Sequence, residues 1–309
     1  MLRRGREFFK RRLRFVFEVG QHLGINILPV HFYSGIPDFR ELRRSEYWKR
    51  PRSMVGVDGA DVRSQFAFIE ECCGLGLTER QSKADIYTRC WTTNGEPGFG
   101  IVEADFLFCF LASKRPRRIV QVGAGLSTAV MLMAAEETTG YVPEITCIDP
   151  YPNAFLRNAA HLGKINLVCE RAQMVDVGLP TDLGDGGLLF VDSTHTVKPG
   201  SEVNYLLLEV LPRLKKGSWV HFHDIYFPYD YSRGILEDDL FFPNESVLLN
   251  AFLVHNRKFT LRASLSMLHY ANPARLRQCL PNYRPAEDTH GMRASEGHFP
   301  SSAYLLAVE

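Results

Sequence analysis

The sequence predicts an α/β fold, a doubly wound and mostly parallel sheet, on three observations. Strand-like and helix-like patterns alternate from about residue 101 onward, and such alternation lays parallel strands side by side with helices on both faces. The run Val120-Gln-Val-Gly-Ala-Gly-Leu-Ser-Thr128 is a strand entering a glycine turn and then a helix. The runs Leu189-Phe-Val-Asp-Ser-Thr-His195 and Val220-His-Phe-His-Asp224 bring carboxylates and imidazoles to the ends of two further strands. In open sheets those ends are where ligands bind.

Each element has its own signal. Residues 102–113 are apolar enough for a buried helix, and 118–122 form a β-branched strand. Residues 127–137 suit a helix with Ser127 as its N-cap. Strands at 144–148 and 165–169 flank a short helix at 154–162, and a fourth strand spans 187–191. Val203, Leu206, Leu207, Val210, Leu211 and Leu214 recur at helical spacing over 199–214. Pro199 lies near that helix's start, Pro212 should tighten its last turn, and Gly217 stops it. A fifth strand at 218–222 and a helix at 245–254 follow. Residues 258–268 and 302–308 read as strands, joined by a segment without helical pattern, which suggests an antiparallel pair at one edge. The first hundred residues are less regular. They hold helices near 3–19, 39–47 and 62–73, an extended stretch at 25–33, and a polar, glycine-rich loop at 93–100.

Composition bounds the function. The chain has 309 residues, 45% hydrophobic and 23% charged, as in ordinary globular proteins. A net charge of +1 gives no electrostatic case for nucleic acid. Seven cysteines without a pairing pattern, some inside apolar runs, point to reduced thiols and a cytoplasmic setting. Adjacent Cys72 and Cys73 lack the further ligands of a zinc site. The N-terminus is the exception to charge balance. Arg3, Arg4, Arg6, Lys10, Arg11, Arg12 and Arg14 stand against Glu7, with Phe8, Phe9, Phe15 and Phe17 interleaved. That helix can lie on an anionic membrane surface through residues 1–17, or pack its phenylalanines on the rest of the protein; both readings stay open.

Gly123 and Gly125 let the backbone approach a ligand, and the helix behind them offers free N–H groups. A dinucleotide fingerprint would have a small residue at 128, where Thr128 is expected to crowd the helix against the strand. Asp149 ends the next strand, placed to accept both hydroxyls of a ribose. These features, with Arg171-Ala172-Gln173 and Phe190-Val-Asp192, resemble the ordered motifs of class I S-adenosylmethionine-dependent methyltransferases over roughly 101–309. The resemblance implies a Rossmann-like, seven-stranded sheet with an antiparallel last strand. It implies that Gln121, Gly123, Gly125, Ser127, Asp149, Gln173 and Asp192 form the cofactor site. Gly123 and Gly125 would face the methionine part, Asp149 the ribose and Gln173 the adenine edge. Arg171 departs from the small or acidic residue expected there. An N-terminal extension, here 1–100, is implied as a substrate lid, with His31, Tyr33 and Asp38 among its residues.

Methyl transfer requires alignment of the cofactor with the nucleophile and removal of the acceptor's proton. Asp192-Ser-Thr-His195 resembles the catechol-type and macrolide-sugar O-methyltransferases, in which a strand-four Asp binds a divalent metal and a residue three further on is the base. That likeness implies His195 and Asp224 as catalytic residues, and Asp192, His223 and Asp224 as holders of Mg²⁺ or Mn²⁺. It leans towards a hydroxyl of a glycan, glycolipid or small metabolite. His221 and His223 alternate on one strand, so they share a side, and one can be a core residue. Tyr226-Phe-Pro-Tyr-Asp-Tyr231 either stacks on the acceptor or is loop packing. The alternatives are a nicotinamide-dependent oxidoreductase on the same sheet and a non-catalytic membrane-surface module. A homo-oligomer is compatible with all three.

Overall fold

The computed structural model describes residues 2–45, 47, 50–83, 85–231, 233–284 and 300–309. The chain divides into two compact units, 1–47 and 48–309. The smaller holds α1 (Leu2–His22) and α2 (Phe39–Arg44), the latter capped by Asp38, whose Oδ1 accepts from the Arg40 amide at 2.9 Å. Residues 25–33, expected to be extended, pair with no strand. No helix among the described residues is long and apolar enough to cross a membrane.

The larger unit opens with three helices, α3 (Val62–Lys83), α4 (Ile86–Asn94) and α5 (Ile101–Lys114). Helix α3 breaks its helical geometry at Gly74. Helix α5 carries the apolar run expected to be buried. Then come β1 (Arg118–Val122), α6 (Leu126–Glu137), β2 (Glu144–Ile148), α7 (Ala154–His161), β3 (Asn166–Val168), α8 (Gly178–Thr181) and β4 (Leu188–Val191). Helix α9 (Glu202–Tyr205) runs on through a π segment to a 3₁₀ turn holding Pro212. Proline has no N–H to donate, so the expected tightening of that turn follows. Last are β5 (Trp219–Phe222), α10 (Arg233–Glu237), α11 (Glu245–Leu253), β6 (Phe259–Ser264), α12 (Leu265–Ala271), α13 (Pro273–Cys279) and β7 (Ala303–Ala307).

The seven strands run in the order β3-β2-β1-β4-β5-β7-β6. Strands β1 to β5 are parallel, and β7 is antiparallel to both β5 and β6. The strand order reverses between β1 and β4, and there the sheet opens its binding crevice. Two apolar cores cover the faces, one around α5, α6 and α3, the other around α9 and α11.

Three sequence expectations need correction. The connection from β6 to β7 contains two helices, and β6 ends at Ser264, whose Oγ accepts from the Met267 amide at 3.4 Å and starts α12. Ser127 does not cap α6; the cap position is Gly125, and its N–H donates to Thr128 Oγ1 at 3.2 Å. Thr128 does not crowd the helix. Its hydroxyl donates to Gln121 Oε1 at 2.8 Å in a fully buried position, which ties the turn to β1. All seven cysteines are free thiols, and only Cys169 is exposed.

Candidate active site

The site is assembled from chain segments leaving the carboxyl ends of the strands. Gly123, after β1, has φ +75°, and a Cβ there would lie 1.7 Å from the carbonyl oxygen of Asp192. Glycine is therefore required both for the left-handed backbone and for the approach of the β1 and β4 ends. Gly125 is different, since a Cβ there would meet only the Asn94 side chain, at 3.7 Å. Asp149, after β2, accepts from the Ala124 amide (3.1 Å) through Oδ2 and from the Tyr151 amide (2.7 Å) through Oδ1. The ribose candidate is thus held rigidly beside the glycine turn.

These groups border a cleft of about 510 Å³, within the ordinary range for small-molecule sites. Gly123, Asp149, Gln173 and Asp192 all line it, as implied by the resemblance, and so does Arg171. Gln173 donates from Nε2 to the Gly200 carbonyl at 2.9 Å, while its buried Oε1 has no partner. A smaller cavity of about 220 Å³ adjoins, bordered by Gly125, Ser127, Asp149 and Asp192. Gln121 faces neither. It is fully buried beneath the turn, donating to Ser127 Oγ at 2.7 Å, so it braces the turn from below.

Two further segments line the cavities. Residues 94–98 border the smaller one, with Asn94 accepting at Oδ1 from Asn153 Nδ2 at 2.9 Å. Residues 198–202 border the larger one, where Glu202 accepts from the Thr194 amide at 2.9 Å. Both lie in polar loops without a motif, so only their glycines, among them Gly95 and Gly200 with positive φ, hinted at close backbone approach.

His195 borders neither cavity; it is 5% exposed and surrounded by carboxylates. Its Nδ1 lies 2.8 Å from Glu245 Oε2, and its Nε2 lies 3.4 Å from Asp192 Oδ1 and 3.5 Å from Asp224 Oδ2. Burial alone would lower its pKa. The hydrogen bonds to Asp192 and Glu245 and the charge of Asp224 outweigh burial and hold it well above the ordinary histidine value. Asp224 shows the converse: burial pushes it up, but the charges of His223 and His195 bring it below the usual carboxylate value. His195 and Asp224 both adopt positive φ, 54° and 53°. Non-glycine residues hold that conformation only when their surroundings impose it, and such strain gathers at functional sites.

The two strand histidines separate in role. His221 is fully buried, stacks on Phe190 at 4.0 Å and bonds Ser302 Oγ at 2.9 Å. Burial and the neighbouring His223 keep its pKa well below the ordinary value, so it is a neutral core residue. His223 Nε2 lies 3.6 Å from Asp224 Oδ1. Burial would lower its pKa too, but Asp224, Asp192 and Glu103 raise it. No metal-ligand group of three or more His, Cys, Asp or Glu forms among the described residues, so the set Asp192, His223 and Asp224 gains no support; Asp192 and Asp224 both approach His195 Nε2. The aromatics of 226–231 are mostly packed inward, with Tyr226, Phe227, Tyr229 and Tyr231 all buried. Tyr226 nonetheless reaches the site, its side chain hydrogen-bonding Asp224, and the Phe241 ring centroid lies 6.4 Å from that of His195.

Sequence reading missed Glu245 and Glu103. Glu103 is buried in α5, and Oε1 accepts from the Ser301 amide at 2.6 Å. Ser301 Oγ donates in turn to Asp224 Oδ1 at 3.1 Å. The available signal was an acid inside an apolar run, since an unpaired glutamate is almost never fully buried.

The sheet order is that of a Rossmann-like fold, and the comparisons with known proteins support an S-adenosylmethionine-dependent methyltransferase domain within it. Residues 120–225 match the model of a family described as a methyltransferase domain. An uncharacterized protein of Archaeoglobus fulgidus is 27% identical over 144 residues, a match spanning 45% of this chain and 65% of that protein's length. Among solved structures, the O-methyltransferase TomG of Streptomyces achromogenes, involved in tomaymycin synthesis and bound to SAM, is 12% identical, with a TM-score of 0.44 over 76% of this chain and 96% of its own. Cofactor-bound Rv0187 from MTB is 14% identical, with a TM-score of 0.45 over 79% and 95%. The fold rests on the sheet, and the methyltransferase likeness on the family match over residues 120–225.

Proposed function

We propose that this protein transfers a methyl group from S-adenosylmethionine to a hydroxyl of a glycan, glycolipid or small metabolite, with His195 as general base and Asp224 beside it. One observation carries the reading: Asp149, Asp192 and Gln173, with its unpartnered Oε1, line one cleft, and His195 Nε2 lies 3.4 Å from Asp192 Oδ1. Asp149 suits the ribose hydroxyls. Gln173 Oε1 can accept from the adenine amino group, which supplies the bond it lacks. The sulfonium then falls toward Gly123 and Gly125, in reach of an acceptor placed against His195.

The carboxylates around His195 shape the chemistry. They strengthen the imidazole as a base, because the imidazolium formed on proton uptake is stabilised at once by Asp192, Asp224 and Glu245. The same charges raise its pKa above the ordinary histidine value, so the neutral base form gains as pH rises. Residues 1–100 are proposed as a substrate lid; of these, Asn94, Glu96, Pro97 and Gly98, in the larger unit, border the smaller cavity. Membrane contact through 1–17 is a separate proposal. Flotation with anionic liposomes should weaken on deleting 1–20, and an unchanged result removes it.

The activity is tested with methyl-labelled S-adenosylmethionine and a panel of phenols and saccharides. His195→Ala should abolish label transfer while retaining S-adenosylhomocysteine binding. Undiminished transfer would place the base elsewhere, and labelled products bearing the methyl on nitrogen or carbon would contradict the acceptor class.

A further inference from the structure

We propose that Glu245 is a positioning residue for His195, clamping its ring so that Nε2 is aimed at the space beside Asp192 and Asp224. The inference rests on the reading of His195 as the base. Glu245 is the first residue of α11, fifty positions along the chain from His195, and it is fully buried. Its Oε2 lies 2.8 Å from Nδ1. The same helix start also holds the backbone of His195: the Asn244 and Glu245 amides donate to the His195 carbonyl at 2.9 and 3.1 Å. Asn244 Oδ1 accepts from the Val197 amide, which fixes the segment immediately after. Ring and main chain are therefore anchored to one rigid element, and these contacts sustain the positive φ of His195.

Two features separate this from ordinary core packing. Burying a carboxylate costs several kcal/mol unless it is fully paired, yet Glu245 Oε1 has no partner. The cost is offset mainly through the bond to His195. In addition, a carboxylate on Nδ1 selects the tautomer that carries its hydrogen there, which leaves Nε2 of the neutral ring as the free acceptor. Nε2 is the nitrogen turned toward Asp192 and Asp224. A ring without the clamp could flip, and the wrong nitrogen would face the acceptor.

The test needs no acceptor. Full-length protein is labelled with ¹⁵N-histidine, and the His195 ring signals are assigned by their loss in His195→Asn. Wild type should show a hydrogen-bonded Nδ1 proton protected from solvent. Glu245→Gln, which keeps the shape but only a neutral acceptor, should retain that proton at a clearly shifted frequency. Glu245→Ala should lose it and show both tautomers in the neutral ring. Affinity for S-adenosylhomocysteine, read by calorimetry, should be unchanged in both variants. His195 signals unaltered by Glu245→Ala would overturn the inference. If Glu245→Ala does not fold, an unshifted Nδ1 proton in Glu245→Gln has the same force. The two proposals fail separately, because retained methyl transfer in His195→Ala removes the base but not the clamp. Unaltered ring signals remove the clamp but not the base.

Discussion

Gly123→Ala is a sharp perturbation of the cleft. The new Cβ would stand 1.7 Å from the Asp192 carbonyl oxygen, and real Cβ contacts essentially never fall below 3.0 Å, so the β1 and β4 ends must part by more than 1 Å. The obstacle is backbone, which cannot swing aside as a side chain can. Alanine at φ +75° adds about 1 kcal/mol of left-handed strain, and forced repacking of a tight interior adds about 1–3 kcal/mol. Together they amount to roughly 2–4 kcal/mol, which for a unit of this size lowers Tm by about 5–15 °C. The shift also displaces Asp192 and the glycine turn, which are proposed to hold the cofactor. One charge-assisted hydrogen bond is worth about 1.5–3 kcal/mol, so S-adenosylhomocysteine should bind at least about tenfold more weakly. Gly125→Ala is the control, because its Cβ meets only the Asn94 side chain at 3.7 Å. Melting curves and calorimetry of both variants decide. Equal melting of Gly123→Ala and wild type, or an equal loss for Gly125→Ala, would refute the steric reasoning.

Other outcomes follow from the same contacts. Thr128→Val keeps the volume but removes the hydroxyl linking Gln121 Oε1 and the Gly125 amide. It should cost about 1–3 kcal/mol, read by chemical denaturation, and a neutral result would show that the turn does not depend on this link. The raised pKa of His195 fixes two signs. Its folded-state pKa lies above the unfolded value, so its stabilising contribution is complete below about pH 6.5 and lost as pH rises through the folded value. Methyl transfer moves the other way, rising with pH to a midpoint above that of an ordinary histidine. Melting followed against pH should lose this component in His195→Asn; an identical profile in wild type and variant would contradict the assignment.

Much of the fold was legible because parallel α/β sheets write strong local signals. Buried strands such as 118–122 and 188–191 are short apolar runs, and Gly123 marks the turn between strand and helix. The miss between β6 and β7 has a physical cause. Residues 265–271 continue the apolar character of the strand, so only the Ser264 cap distinguishes helix from strand. At the candidate site, Asp149, Asp192, His195 and Asp224 could be singled out because each stands at or just beyond the end of a patterned strand. Gln121 misled because its position beside the glycines suggests ligand contact, whereas on β1 it points into the buried underside of the turn. Glu245 was invisible because its partner is fifty residues away and no local spacing encodes the pairing.

Calorimetric titration with S-adenosylhomocysteine tests the cofactor assignment most directly. The full-length protein should bind one equivalent. Asp149→Ala should bind roughly 10–100-fold more weakly, since Asp149 orders the turn through the Ala124 amide and is proposed to hold the ribose. Absence of heat and of thermal stabilisation in wild type, or full affinity in Asp149→Ala, would contradict it.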